Sequence, residues 1–146
     1  MNDKEKDDIY YLCSLIEYIS RKTQNYRKDI IKYFPREILK WQLESAEVNH
    51  CLSFEQVSDE LIEKLEIKKG DFDSVKSCRY LVPDFLSIGR VFEQLIISVN
   101  QNDIIQTIIN VYSSFISDEI SNYNSNIFYA SPDYLKYSYL EGNLVA

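Results

Sequence analysis

The feature that most limits how this chain can fold is a scarcity, three glycines and three prolines in 146 residues. Those two residues punctuate strands, tight turns and phosphate-cradling loops, so a chain with so few of them favours helices joined by short polar links. At 45% hydrophobic and 27% charged residues there is enough apolar material for a core, and the length suits one cooperative domain. The expectation is an all-α fold, a single-domain bundle of about six or seven helices spanning residues 1–146.

Hydrophobic periodicity places the helices. Over residues 7–20, Ile9, Tyr11, Leu12, Leu15, Ile16, Tyr18 and Ile19 cover about half a helical wheel, with Tyr10, Ser14 and Glu17 opposite. An apolar face that wide needs more than one neighbour. A short helix over 27–33 comes next, and Pro35 suits the first turn of a third helix reaching about residue 48. Ile38, Leu39, Trp41, Leu43, Ala46 and Val48 supply its apolar positions, and Trp41 reads as a core anchor.

Ser53 with Gln56 has the spacing of a capping box and predicts a helix over 54–65. Its outward side is acidic, carrying Glu55, Asp59, Glu60 and Glu63. Gly70 reads as the stop, and residues 71–83 have no helical pattern, which predicts an irregular or short extended segment. Helix resumes over 84–98. Asp103 can cap the next, over 104–121, where the apolar period is strongest. Glu119 falls inside that apolar arc, as expected if the helix leaves the core at that turn. Beyond it come a polar loop and a last helix from Pro132 to Glu141, with Gly142 as its stop.

Function classes are narrowed mainly by charge and by absent residue types. A net charge of -7 opposes binding to a phosphate backbone. The best basic strip, Arg21, Lys22, Arg27, Lys28 and Lys32 interleaved with Tyr26 and Tyr33, reads as a solvated helix face rather than a nucleic-acid contact. Cys13, Cys51 and Cys78 lack the close pairing of a zinc or redox motif and read as small buried apolar groups. No apolar run approaches membrane-spanning length and the charged first residues are unlike a leader, so the expected compartment is the cytoplasm.

His50 is the single histidine. Glu47 and His50 have the spacing found in di-metal helical bundles, but such sites need a second copy and more carboxylates. Cys51 lies about 100° round the helix from His50, so adjacency does not make them a nucleophile–base pair. No catalytic residue, metal ligand or cofactor is assigned. The alternative is a small enzyme or ligand-binding domain with a tyrosine-lined pocket, in which Arg79, Tyr80, Arg90 and Glu93 could converge.

Tyrosine, by contrast, occurs 12 times, and residues 120–140 alone hold six aromatic side chains. Tyrosine joins a rigid apolar face to a polar tip and is enriched in recognition surfaces. Tyr11, Tyr18 and Tyr112 fit apolar arcs and belong to the core. Tyr123, Tyr129, Tyr134, Tyr137 and Tyr139 are the candidate interaction residues, together with acidic Glu55, Asp59 and Glu63. On the last helix two aromatic sides call for two surfaces to cover them, one being the domain itself. The reading is a non-enzymatic module that binds a more basic protein or a second copy of itself.

The opening, residues 9–18 with their run Ile9, Tyr10, Tyr11, Leu12 and residues 27–34 ending in Tyr33 and Phe34, resembles a small bacterial helical domain of unknown function. That domain is encoded beside toxins similar to ADP-ribosyltransferases. The resemblance covers about the first quarter of the chain and brings no catalytic residues. It implies an antitoxin, immunity or accessory role with a protein partner.

Overall fold

Polar caps decide where most of the helices start. In the computed structural model, which describes residues 1–145, the Asn2 side chain accepts the Glu5 amide at 2.8 Å and opens α1 (Asp3–Thr23). The short α2 (Arg27–Lys32) and α3 (Arg36–Asn49) come after it without side-chain caps. Ser53, Asp84, Asp103 and Ser131 cap α4 (Phe54–Lys64), α5 (Phe85–Val99), α6 (Ile104–Ser113) and α8 (Pro132–Glu141) in the manner of Asn2. Each satisfies an amide that the helix itself leaves free. Between the last two lie α7 (Phe115–Ser121) and a 3-10 turn, Ile127–Tyr129.

The described residues thus form an all-α bundle of eight α-helices without a strand. The helix beyond the expected seven comes from a break at Ser114. There the backbone is extended, and the Ser114 hydroxyl donates to the Val111 carbonyl at 2.7 Å. That carbonyl would otherwise accept the next amide of a continuous helix. The break also gives α7 a different helical phase from α6, and Glu119 is half-buried rather than central to an apolar face.

α1 is the axis of the bundle. It packs most extensively on α5 and also meets α3, α2 and α4, and every residue from Tyr11 to Glu17 is buried. Such complete burial is how a helix wide in apolar surface satisfies it. The α1–α5 approach is closest at Ser14 and Gly89, where a Cβ on residue 89 would stand 2.9 Å from the Ser14 backbone nitrogen. Tyr11 and Tyr18 from α1 pack with Phe54 and Phe85, the first residues of α4 and α5, at ring separations of 4.9 to 6.0 Å. These contacts seat α4 on the bundle. α8 closes the other side against α5 and α7. The buried side chains form a single hydrophobic core.

Two sequence expectations need correction. Gly70 does not stop α4, which ends at Lys64 with Glu66 in the left-handed region at φ 53°. Gly70 instead lies against the end of α1: its amide donates to the Thr23 carbonyl at 2.8 Å, and a Cβ there would stand 2.6 Å from the Gln24 carbonyl oxygen. Trp41 is not a core anchor. The inward arc of α3 is Leu39, Gln42 and Ala46, and Trp41 lies about 200° round the helix from Leu39. It is 53% exposed.

Candidate functional site

Three regions carry chemistry that the core alone does not require. The first is a buried polar cluster where α1, α2 and α7 meet. Arg27 Nη1 donates to both Glu17 oxygens at 2.8 and 2.5 Å, and the Tyr123 hydroxyl donates to Glu17 Oε1 at 2.5 Å. The other Arg27 nitrogen, Nη2, reaches the Ser117 carbonyl at 3.1 Å and the Ser121 hydroxyl at 2.7 Å. The guanidinium lies 4.6 Å from the centre of the Phe92 ring. Glu17 and Arg27 are 1% and 2% exposed.

Burial by itself opposes the Arg27 charge, yet Glu17 and Tyr123 beside it more than offset this and raise its pKa above the ordinary value. Burial, followed by the Glu17 charge, also raises the Tyr123 hydroxyl, which keeps its proton and remains a donor. Arg21 completes the rim of the cluster, with its Nε 3.4 Å from Glu17 and its Nη2 2.7 Å from the Pro83 carbonyl. A charge pair of this kind fixes geometry because neither member tolerates losing the other.

Above the cluster lies the second region, a half-open cavity of about 380 Å³. One wall is Tyr26 stacked on Phe72 with ring centres 3.8 Å apart, and another is Lys28 paired with Asp118 at 2.9 Å. Tyr123 and Ser121 form part of its lining and tie it to the buried cluster. The irregular segment 71–83 borders this cavity and is held in place by side chains. Asn124 accepts the Arg79 amide at 2.7 Å and donates to the Ser77 carbonyl at 2.9 Å.

The third region is the outer surface of α3 and α4. Both helices pack on α1 but make few contacts with each other, and a groove of about 350 Å³ remains between them. Trp41 and Val48 stand along its α3 side, and Val57 and Leu61 line the α4 side. Val48 is 71% exposed. Lys64 reaches across the groove to place its ammonium 4.8 Å from the Trp41 ring centre.

The residues singled out from the sequence are dispersed over these regions. Tyr123 is 4% exposed and bonded to Glu17, so it leaves the surface set: the chain folds its loop back under the 71–83 segment. Tyr129 is 75% exposed, with its ring 4.2 Å from Phe128. On α8, Leu135 and Ser138 face inward, Tyr134 and Tyr139 are half-buried against the core, and Tyr137 and Leu140 point outward. Glu55, Asp59 and Glu63 are exposed on α4, with Asp59 paired to Lys22.

Tyr11 and Tyr112 lie in the core as expected, while Tyr18 is half-buried. Each cation of the basic strip has a carboxylate partner: Glu17 for Arg21 and Arg27, Asp59 for Lys22, Asp118 for Lys28 and Asp29 for Lys32. Arg90 pairs with Glu93 at 2.5 Å and covers the Tyr10 ring. Among the described residues no hydrogen bond joins Arg79 or Tyr80 to that pair.

Of the three cysteines expected to be buried, only Cys13 is; Cys51, in the turn that follows α3, is exposed, and Cys78 is half-buried. His50 ends α3 with its ring 4.7 Å from that of Tyr11. Among the described residues no group of three or more histidine, cysteine or carboxylate side chains is placed to hold a metal, and no helix is long and apolar enough to cross a membrane.

Sequence reasoning misses the Glu17–Arg27–Tyr123 cluster. Its one legible signal is Glu17 within α1, flanked by apolar residues over most of its turn. Comparison with known protein families, with curated proteins and with solved structures finds no match to this chain.

Proposed function

We propose that this chain is a non-enzymatic protein-interaction module. The observation that carries the reading is the α3–α4 surface, where Trp41 and Val48 stand exposed beside an apolar groove rather than in the core. Large aromatic side chains around a concave apolar surface are the usual energetic centres of protein interfaces. The exposed Tyr129, Tyr137 and Leu140 add apolar surface on the C-terminal side. An antitoxin, immunity or accessory role, which the N-terminal resemblance implies, is the finer form of this reading.

Native mass spectrometry of the chain, alone and with the product of a neighbouring gene, tests it. The expected result is a stoichiometric complex or a dimer. A strict monomer under both conditions overturns it.

A second reading, a ligand-binding domain, is favoured by the cavity beside Tyr123. Its lining brings Tyr123 together with Tyr26, Phe72 and the Lys28–Asp118 pair, while Arg27 and Glu17 lie buried behind Tyr123 and do not line it. Pockets of this size with a few converging polar groups are common small-molecule sites. Ligand-observed NMR with a library of small polar compounds, repeated on Asp118→Asn, distinguishes it: specific binders should lose affinity in the variant.

A further inference from the structure

We infer that the α3–α4 groove receives a basic amphipathic helix from a partner protein, an inference that rests on the interaction reading above. The acidic excess of the chain lies in the stretch that forms the two helices flanking the groove, with Glu60 on the groove itself and Glu55 and Glu63 exposed further round α4. Residues 36–66 contain eight acidic and three basic side chains, a net -5 out of -7 for the whole chain. Residues 9–35 have the opposite balance, two acidic against five basic, and their cations are already paired with carboxylates.

The dimensions of the groove fit a helix. Trp41 and Val48 are seven residues apart on one side, and Val57 and Lys64 are seven apart on the other. Seven residues rise about 10 Å, the length of two helical turns. A partner with apolar residues at i, i+3 or i+4, and i+7 would set them against the exposed Trp41 and Val48, over the floor that the buried Val57 and Leu61 form. Its flanking lysines and arginines would then lie over Glu60 and its neighbours on α4, where complementary charge steers association and fixes orientation.

Trp41 adds a second argument for a cationic partner. Its ring already holds a cation, the Lys64 ammonium at 4.8 Å, and aromatic faces attract lysine and arginine through the ring quadrupole. Lys64 is exposed on a flexible stem, so an incoming arginine or lysine can take its place while the ring packs on the partner's apolar stripe. Charge, groove length and ring chemistry therefore call for the same occupant.

Trp41 is the only tryptophan in the chain, so its fluorescence reports on the groove directly. The probe is a synthetic 18-residue leucine–lysine peptide with leucines at helical i, i+3, i+4 and i+7 spacing, compared with a scrambled peptide of the same composition. The ordered peptide should give a saturable blue shift of Trp41 emission, and the scrambled one should bind at least ten-fold more weakly. Val48→Arg, an exposed substitution, should weaken the ordered peptide by at least ten-fold with unchanged circular dichroism.

Equal binding of the two peptides overturns the inference, since charge alone would then explain adhesion. So does an unmoved emission spectrum, or full affinity in Val48→Arg. A native complex that forms as well with Val48→Arg as with the unaltered chain would keep the interaction reading and remove the groove from it. The absence of any native complex removes the interaction reading itself.

Discussion

The buried cluster under Tyr123 and the outer surface of α3 and α4 are both rich in charge, but they use it in opposite ways. At the cluster, Glu17 draws its partners from three places in the chain: Arg21 one turn away, Arg27 on the next helix, and Tyr123 over a hundred residues later. On α3 and α4 the carboxylates point to solvent, and Trp41 and Val48 beside them are exposed. The difference teaches where this fold is closed and where it is open. Charge that meets its partner within the chain fixes the packing of helices. On α3 and α4 the excess charge lies exposed beside a tryptophan that the core does not bury.

The most severe break of this contrast is Arg27→Met. It leaves Glu17 buried without its main partner, and the expected loss is about 3–5 kcal/mol of folding stability in urea melts. The matched surface change, Lys28→Met, disrupts the half-exposed pair with Asp118 and should cost less than about 1 kcal/mol. Equal losses from the two would mean that the buried pair does not lock the helices together.

Next in size is Gly89→Ala, which puts a methyl group against Ser14 where α1 and α5 approach most closely. Overpacking of this kind costs about 1–3 kcal/mol. Thermal melts should show a lowered Tm. A neutral result would show that the α1–α5 seam can widen without loss.

Alkali separates the closed core from the open surface by another route. Burial pushes the Cys13 thiol from 9.0 to about 12, and burial also raises the Tyr112 and Tyr123 hydroxyls. Between pH 9 and 12 the unfolded chain releases the Cys13 proton while the folded chain retains it. Stability is therefore fully present below pH 9 and falls as pH rises, by about 1.4 kcal/mol per pH unit for each such group. Cys13→Ala should flatten the first part of that fall in urea melts collected across the range.

How much of this is legible in the sequence depends on how local each cause is. The caps at Ser53 and Asp103 and the all-α class can be read because a cap and its helix lie within four residues. The break at Ser114 is hidden because the apolar period runs on through it, and only the competition of the Ser114 hydroxyl for the Val111 carbonyl interrupts the helix. Trp41 is misplaced because aromatic type suggests burial, whereas its angle from Leu39, Gln42 and Ala46 points it outward. Glu17 and Tyr123 read as a polar helix position and a surface tyrosine, because no local pattern announces a partner 106 residues away.

The smallest expected effects sharpen the comparison most. Val48→Arg and Tyr129→Ser alter exposed side chains on two different surfaces, 71% and 75% accessible, and each should change folding stability by no more than about 0.5 kcal/mol. Because neither perturbs the core, any difference between them in binding the ordered leucine–lysine peptide comes from the surface itself. A loss of affinity in Val48→Arg with none in Tyr129→Ser places recognition at the α3–α4 groove. The reverse pattern would move it to the Tyr129 side, where the 71–83 segment and the Asn124 loop are already tied together, and would leave the acidity of α4 to solvation alone.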